Sequence, residues 1–155
     1  MIIKSIRVQN FRCLKDVTLI CHPLTVLVGQ NGTGKSCLLH ALKLFYEPNA
    51  SYAQEDFYAN SIDDPISITV SFTNLTTNEN RLFHSYISGD SLIIEKILTY
   101  PASRGSQKYF GWRLKNPDFE PFRQAKGRSD LAEAYKELKK NERYKAFPNY
   151  TKRMK

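Results

Sequence analysis

Long apolar runs are missing from this sequence: no stretch approaches the ~20 consecutive apolar residues that a membrane-spanning helix needs. The first twelve residues, MIIKSIRVQNFR, are interrupted by Lys4, Arg7 and Arg12 and lack the unbroken apolar stretch of a secretory leader, so a cytoplasmic location is expected. Cysteine is scarce. Cys13, Cys21 and Cys37 are odd in number and lack metal-ligand spacing, which argues against a disulfide framework or a zinc site and predicts reduced, mostly packing residues. Histidine is scarcer in effect, because His22, His40 and His84 are scattered and none falls in a nucleophile motif. Internal repeats and low-complexity tracts are absent as well.

What is present is the composition of a soluble globular chain: 155 residues, 41% hydrophobic, 12% aromatic and 25% charged. A chain of that size buries roughly two-thirds of its unfolded surface, enough for one core. Its net charge of +8 is uneven, with 8 Lys/Arg against 9 Asp/Glu in residues 1 to 100 and 15 against 6 in residues 101 to 155. The excess therefore lies in the last third, which reads either as a solvated helix face or as a surface for nucleic acid.

Along the chain, Ile2, Ile6 and Val8 alternate as in a half-buried strand, and Val17, Leu19 and Cys21 repeat the pattern. The run TVLV, residues 25 to 28, predicts a strand buried on both faces that delivers the chain to a glycine-rich loop. Leu38, Ala41, Leu42 and Phe45 then recur at helical spacing until Pro48. Three antiparallel strands are predicted from ISITVSF, RLFHSYI and SLIIEKIL, with the stretch ISGDS, residues 87 to 91, as a hairpin turn and KYFGWRLK as a further strand. A last helix is predicted to begin at Asp130, paired with Glu133 as a cap, with Leu131, Ala134, Tyr135 and Leu138 as its apolar stripe. The expected organisation is a single lobe. Residues 1 to 48 supply strands, loop and first helix, residues 62 to 116 an antiparallel β-subdomain, and residues 129 to 143 the C-terminal helix.

The loop GQNGTGKS has Gly29, Gly34, Lys35 and Ser36 in the phosphate-loop spacing G-x-x-x-x-G-K-[ST], between a predicted strand and a predicted helix. Gly29, Gly32 and Gly34 leave room for the backbone to wrap an anion closely. The N–H groups of Asn31, Thr33 and their neighbours then face the phosphates together with the positive end of the helix. Lys35 adds a point charge for the β- and γ-phosphates, and Ser36 a hydroxyl for Mg²⁺. No turn type needs Lys and Ser at those positions.

With its loop, the segment IKSIRVQNFRCLKDVTL resembles the N-terminal lobe of ABC-type ATPases of the RecF, SMC and OLD-nuclease kind, through Asn10, Phe11 and Arg12 and then Gly29, Asn31, Gly32, Gly34, Lys35 and Ser36. Across residues 47 to 98, EDFY followed by DDPISITVSF is most similar to OLD-type ATPases. The resemblance implies an α/β fold: a partial P-loop NTPase lobe with a mixed β-core around the loop and its helix, plus an antiparallel β-subdomain and a C-terminal helix. It implies ATP and Mg²⁺ as ligands, held by residues 29 to 37 with Cys37 where many relatives carry Ser or Thr, Arg12 near the nucleotide, and Gln124 as a Mg²⁺-sensing glutamine. ATP in place of GTP rests on the resemblance alone. It also implies a second ATPase protomer, DNA and a nuclease subunit or domain as partners. No apolar run here ends in Asp-Glu and no Ser-Gly-Gly signature is found, so a complete catalytic set is not expected, and the expectation is a front lobe truncated before those motifs. Three functions follow: an ATP-binding lobe coupled to DNA processing or anti-phage DNA cleavage, an ATPase subunit regulating a separate nuclease as in Septu-type systems, and a basic DNA-binding module with a vestigial loop. A small kinase is disfavoured by the Asn-Gly pair in the loop.

Overall fold

The computed structural model describes residues 1–103, 105–113 and 116–148, and the chain divides into two compact units, Met1–Arg113 and Leu114–Lys155. In the first unit, alternation of apolar and polar residues produces a six-stranded sheet. Its strands are β1 (Ile2–Phe11), β2 (Leu14–Ile20), β3 (Ile66–Thr73), β4 (Ile87–Ser88), β5 (Ser91–Leu98) and β6 (Gln107–Gly111). The order is β2-β1-β3-β5-β4, with β6 also on β5, and every described pair is antiparallel. Register places Val8 opposite both Val17 and Ile68, and Val70 opposite both Ile6 and Ile94.

One face of this sheet is the core. Ile6, Val8, Ile66, Ile68, Val70, Phe72, Leu92 and Leu98 are buried there, and helix α1 (Lys35–Tyr46) lays Leu38, Ala41, Leu44 and Phe45 into the same cluster. Phe45 reaches Phe72 with ring centroids 6.2 Å apart. The opposite face is polar: Arg7 makes a two-pronged contact with Asp16 at 2.9 and 2.6 Å, and Glu95 accepts from Ser67 at 2.6 Å and from Trp112 at 3.0 Å. Packing on one side and water on the other is what the two-residue period of β3 and β5 demands.

Two predicted strands take other forms. Residues 25 to 28 pair with no described strand, and Val26 and Val28 are 72% and 90% exposed. A strand buried on both faces needs a neighbour on each side, whereas the antiparallel order ends at β2, whose pairing with β1 continues only to the Cys21 N–H bonded to Lys4 O at 2.8 Å. RLFHSYI is not a strand either. Thr76 starts helix α2 (Thr77–Phe83), because its hydroxyl accepts from the Glu79 N–H while the Glu79 carboxylate accepts from the Thr76 N–H at 2.8 Å, and this reciprocal cap wins over the apolar alternation that follows. Only Ile87 and Ser88 remain extended, and they pair with Leu92 and Ser91 across the Gly89–Asp90 turn, so ISGDS is a hairpin turn.

In the second unit, helix α3 (Glu120–Gln124) precedes helix α4 (Arg128–Lys140), whose Ala134 and Leu138 are buried. The α4 cap differs from the predicted one. Gly127 is the cap residue and Asp130 is the third helical residue, its carboxylate accepting from the Lys126 and Gly127 N–H groups. An aromatic cluster of Phe119, Phe122, Tyr135, Tyr144 and Phe147 packs beside these helices, with the Tyr144 hydroxyl donating to Asp118 at 2.9 Å.

Candidate functional site: the loop entering α1

The loop from Gly29 to Gly34 hands the chain directly to α1, and two of its glycines are there for conformational reasons. Gly32 and Gly34 sit at φ +84° and +92°, in the left-handed region, and a Cβ on Gly34 would lie 2.9 Å from Leu14 Cδ2 and 3.2 Å from Cys13 Sγ. Gly34 is therefore fixed twice over, by backbone angle and by the close approach of the β1–β2 turn. It is also the N-cap of α1, and it supplies no side-chain cap. The first-turn amides of the helix have no intrahelical partner by geometry, so they remain available to an anion.

Lys35 folds back over its own loop. Its Nζ donates to Gly29 O at 2.6 Å and Gln30 O at 2.5 Å and reaches Thr33 Oγ1 at 3.3 Å, while the Thr33 hydroxyl donates to Gln30 O at 2.9 Å. Asn31, Gly32, Gly34, Lys35, Ser36 and Cys37 line a depression of about 140 Å³. That volume suits phosphate groups and is well short of the ~300 Å³ at which pockets for whole small molecules begin. The cluster also fits a magnesium-bound phosphate: Ser36 is exposed and brings a hydroxyl oxygen, a hard donor of the kind Mg²⁺ prefers, to the rim where Lys35 stands. The structure places Asn31, Gly32, Gly34, Lys35, Ser36 and Cys37 around this depression, with Gly29 and Thr33 in contact with Lys35.

Arg12 is placed by a different set of contacts. Asn10 and Arg12 both adopt positive φ, +56° and +51°, on either side of a fully buried Phe11. Asn10 Nδ2 donates to Asp64 O at 2.5 Å, Phe11 bridges to Phe57, and Arg12 gives its N–H to Asp56 O and its Nε to Asp56 Oδ1, both at 2.8 Å. The Asn-Phe-Arg and EDFY segments are therefore one construction, and Asp56 is the residue that sequence reading missed. Its signal was an acidic residue beside Phe57 in a polar loop, which gives no hint of its distant arginine. Gln124 belongs to the other unit, at the end of α3, where its Nε2 donates to Glu120 Oε1 at 3.4 Å.

Two further groups flank α1. Cys13 Sγ donates to Cys37 Sγ at 3.4 Å, and this shared hydrogen bond, followed by partial burial, pushes the Cys13 thiol above its ordinary value. Cys13 is exposed, whereas Cys21 and Cys37 are half-buried against the core, as expected of cysteines that mostly pack. At the far end of the helix, Lys96 occupies an inward position of β5 and is fully buried. Its Nζ donates to Leu44 O at 2.8 Å and to Glu47 O, and it lies over the Tyr109 ring at 5.1 Å. Burial pulls the Lys96 ammonium below its ordinary range, with Glu47 opposing the shift.

A glycine-built loop, a lysine over it and an uncapped helix start on one side of an antiparallel sheet define a P-loop NTPase lobe. A family model described as the AAA ATPase domain matches residues 1–155, and the chain belongs to that family. Among curated proteins, the OLD nuclease of Thermus scotoductus is 50% identical over 42 residues, which are 27% of this chain and 8% of that protein. The chain therefore matches only a small part of the length of that relative. Among solved structures, an SMC ATPase from work on ATP-driven dimerization and DNA-stimulated activation aligns with a TM-score of 0.53 at 18% identity, covering 86% of this chain and 90% of that one. An Smc head bound to the C-winged helix domain of ScpA gives the same TM-score and identity over 74% of this chain and 37% of that one. At that identity the likeness is one of fold.

Proposed function

We propose that this chain is the ATP-binding lobe of an ATPase coupled to DNA processing or to cleavage of foreign DNA. The 29–37 loop holds the phosphates and Ser36 contributes to Mg²⁺. The observation that carries the reading is the junction of the loop with α1: left-handed glycines, an uncapped first turn and Lys35 converge on a depression sized for phosphates. On binding, Lys35 exchanges its contacts with Gly29 O and Gln30 O for phosphate oxygens, and the helix start supplies N–H donors. Arg12, steered by Asp56, is assigned to the nucleotide's periphery. Nuclease coupling is supported by the likeness to the OLD nuclease, and pairing with a second ATPase protomer by the likeness to SMC heads. A cytoplasmic setting fits both.

The test is a thermal shift with ATP and Mg²⁺. At about a hundred times its dissociation constant, ATP stabilises a binding-competent lobe by about 2.7 kcal/mol. Lys35→Ala is expected to lose most of that shift, and equal shifts in wild type and variant would overturn the assignment. The concentration of Lys and Arg after residue 100 favours a second reading, a basic DNA-binding module with a vestigial loop. Duplex DNA bound without nucleotide, with affinity falling steeply as salt rises, is the outcome that distinguishes it.

A further inference from the structure

Two of the three cysteines are far apart in sequence and in contact in space. Cys13 lies in the turn between β1 and β2, Cys37 is the third residue of α1, and their sulfurs are 3.4 Å apart, against about 2.05 Å in a disulfide. Cys13 is exposed and Cys37 half-buried, so an oxidant meets the first while the second stands within reach behind it. The same Cys13 sulfur would be 3.2 Å from a Cβ on Gly34, which places the pair against the hinge where loop becomes helix. Cys37 packs only partly against the core, and the helix is anchored chiefly by Leu38, Ala41, Leu44 and Phe45.

We propose that Cys13 and Cys37 form an oxidative modification site that takes a small disulfide as co-substrate and closes into a disulfide that weakens phosphate binding by the loop. The consequence for binding rests on the nucleotide-binding reading; formation of the bond does not. With a small disulfide RSSR in mildly alkaline solution, Cys13 gives up its proton to solvent, its sulfur attacks one sulfur of RSSR and expels RS⁻, leaving a Cys13–S–S–R mixed disulfide. The Cys37 thiol gives up its proton, its sulfur attacks Cys13 Sγ, and the second RS⁻ leaves. The two protein thiols lose two protons and two electrons, and RSSR becomes two RSH. Closing the gap takes up about 1.3 Å, the difference between the two sulfur separations, shared between side-chain rotation and a movement of the first turn of α1 toward the β1–β2 turn. Amide donors arranged around an anion tolerate little displacement, and a shift of ~1 Å can cost as much as a hundredfold where geometry matters. Oxidation is therefore expected to lower ATP affinity at least tenfold.

The experiment uses the full chain carrying Cys21→Ser, so that the pair is the only source of thiols. Incubation with oxidised glutathione should remove both free thiols and leave a monomer whose intact mass is lower by two hydrogens, with a Cys13–Cys37 cross-linked peptide on digestion. Dithiothreitol should restore both thiols. ATP titration of the reduced and oxidised forms then reads the switch: tight binding when reduced, at least tenfold weaker when oxidised, recovered on reduction. Cys13→Ser should bind as the reduced protein does and ignore the oxidant. Persistent glutathione adducts or intermolecular disulfides in place of the internal bond would overturn the site. Equal affinity of the two forms would overturn the switch. Failure of the reduced protein to bind ATP while the disulfide still forms would instead count against the nucleotide reading, and so the two ideas fail separately.

Discussion

Lys35 shows how a single residue can be both poised and occupied. In the free loop its ammonium is bound by two main-chain carbonyls and a hydroxyl, so a nucleotide gains only the difference between phosphate and those contacts. Lys96 stands at the other end of the same helix. It is a buried cation facing the last-turn carbonyls of α1, where the helix carries partial negative charge. Lys96→Met keeps the stem's packing and removes the donor, leaving Leu44 O and Glu47 O without it. Because buried acceptors that lose their partners cost more than an average hydrogen bond gains, destabilisation of about 1–3 kcal/mol is expected, read as a lower midpoint in chemical denaturation.

Among the elements, α2 contains the clearest conflict between two sequence signals. RLFHSYI reads as alternating apolar residues, yet Thr76 and Glu79 form a reciprocal cap just upstream, and the cap sets the helix. Glu79 is held below the usual carboxylate range, first by the Thr76 N–H and then by the amino group of Met1 at 3.1 Å. A carboxylate with a depressed folded value stabilises above its unfolded value and loses that contribution as pH falls through the folded one. Glu79→Ala should therefore melt at a lower temperature than wild type near neutral pH, and the difference should close as the solution is taken to about pH 3, below the ordinary glutamate value of ~4.3. A gap that persisted in acid would show that the side chain acts through packing.

The elements also show what the sequence made legible. The loop, α1, β1, β3 and the β4–β5 turn follow from local patterns: spaced glycines with Lys35 and Ser36, a helical stripe, and strict alternation in ISITVSF. The stripe differs from expectation at one member: Leu44 is buried and Leu42 only partly so. Contacts that close over long separations were not legible. Arg12 with Asp56, Cys13 with Cys37 and Lys96 with the end of α1 are set by how the sheet brings β1, α1 and β5 together, and none leaves a local pattern. Residues 25 to 28 failed for the opposite reason: their composition asks for a buried strand, but burial depends on neighbours that composition cannot supply.

For the molecule as a whole, no helix among the described residues is long and apolar enough to cross a membrane, and the charge asymmetry between the two thirds before and the third after residue 100 is the dominant global feature. The first unit carries the phosphate loop with nearly balanced charge, and the excess cations follow it. Such a field draws polyanions, and with a net charge of +8 it also keeps copies of the chain apart.

That mutual repulsion bears on the unpaired run before the loop. Leu24, Val26 and Val28 are 82%, 72% and 90% exposed on a stretch that pairs with no described strand, an unpartnered apolar run that can template growth between copies. At low ionic strength the charge suppresses it. Raising salt screens the repulsion beyond ~10 Å at 0.1 M while leaving the apolar attraction in place. Solutions of the chain should therefore turn more turbid as salt is added, and Val26→Lys should delay the onset in light scattering. A turbidity that fell with salt would mean that opposite charges, and not the exposed run, hold the aggregates together. Colloidal behaviour would then be governed by a five-residue run, Leu24 to Val28, immediately upstream of the phosphate loop.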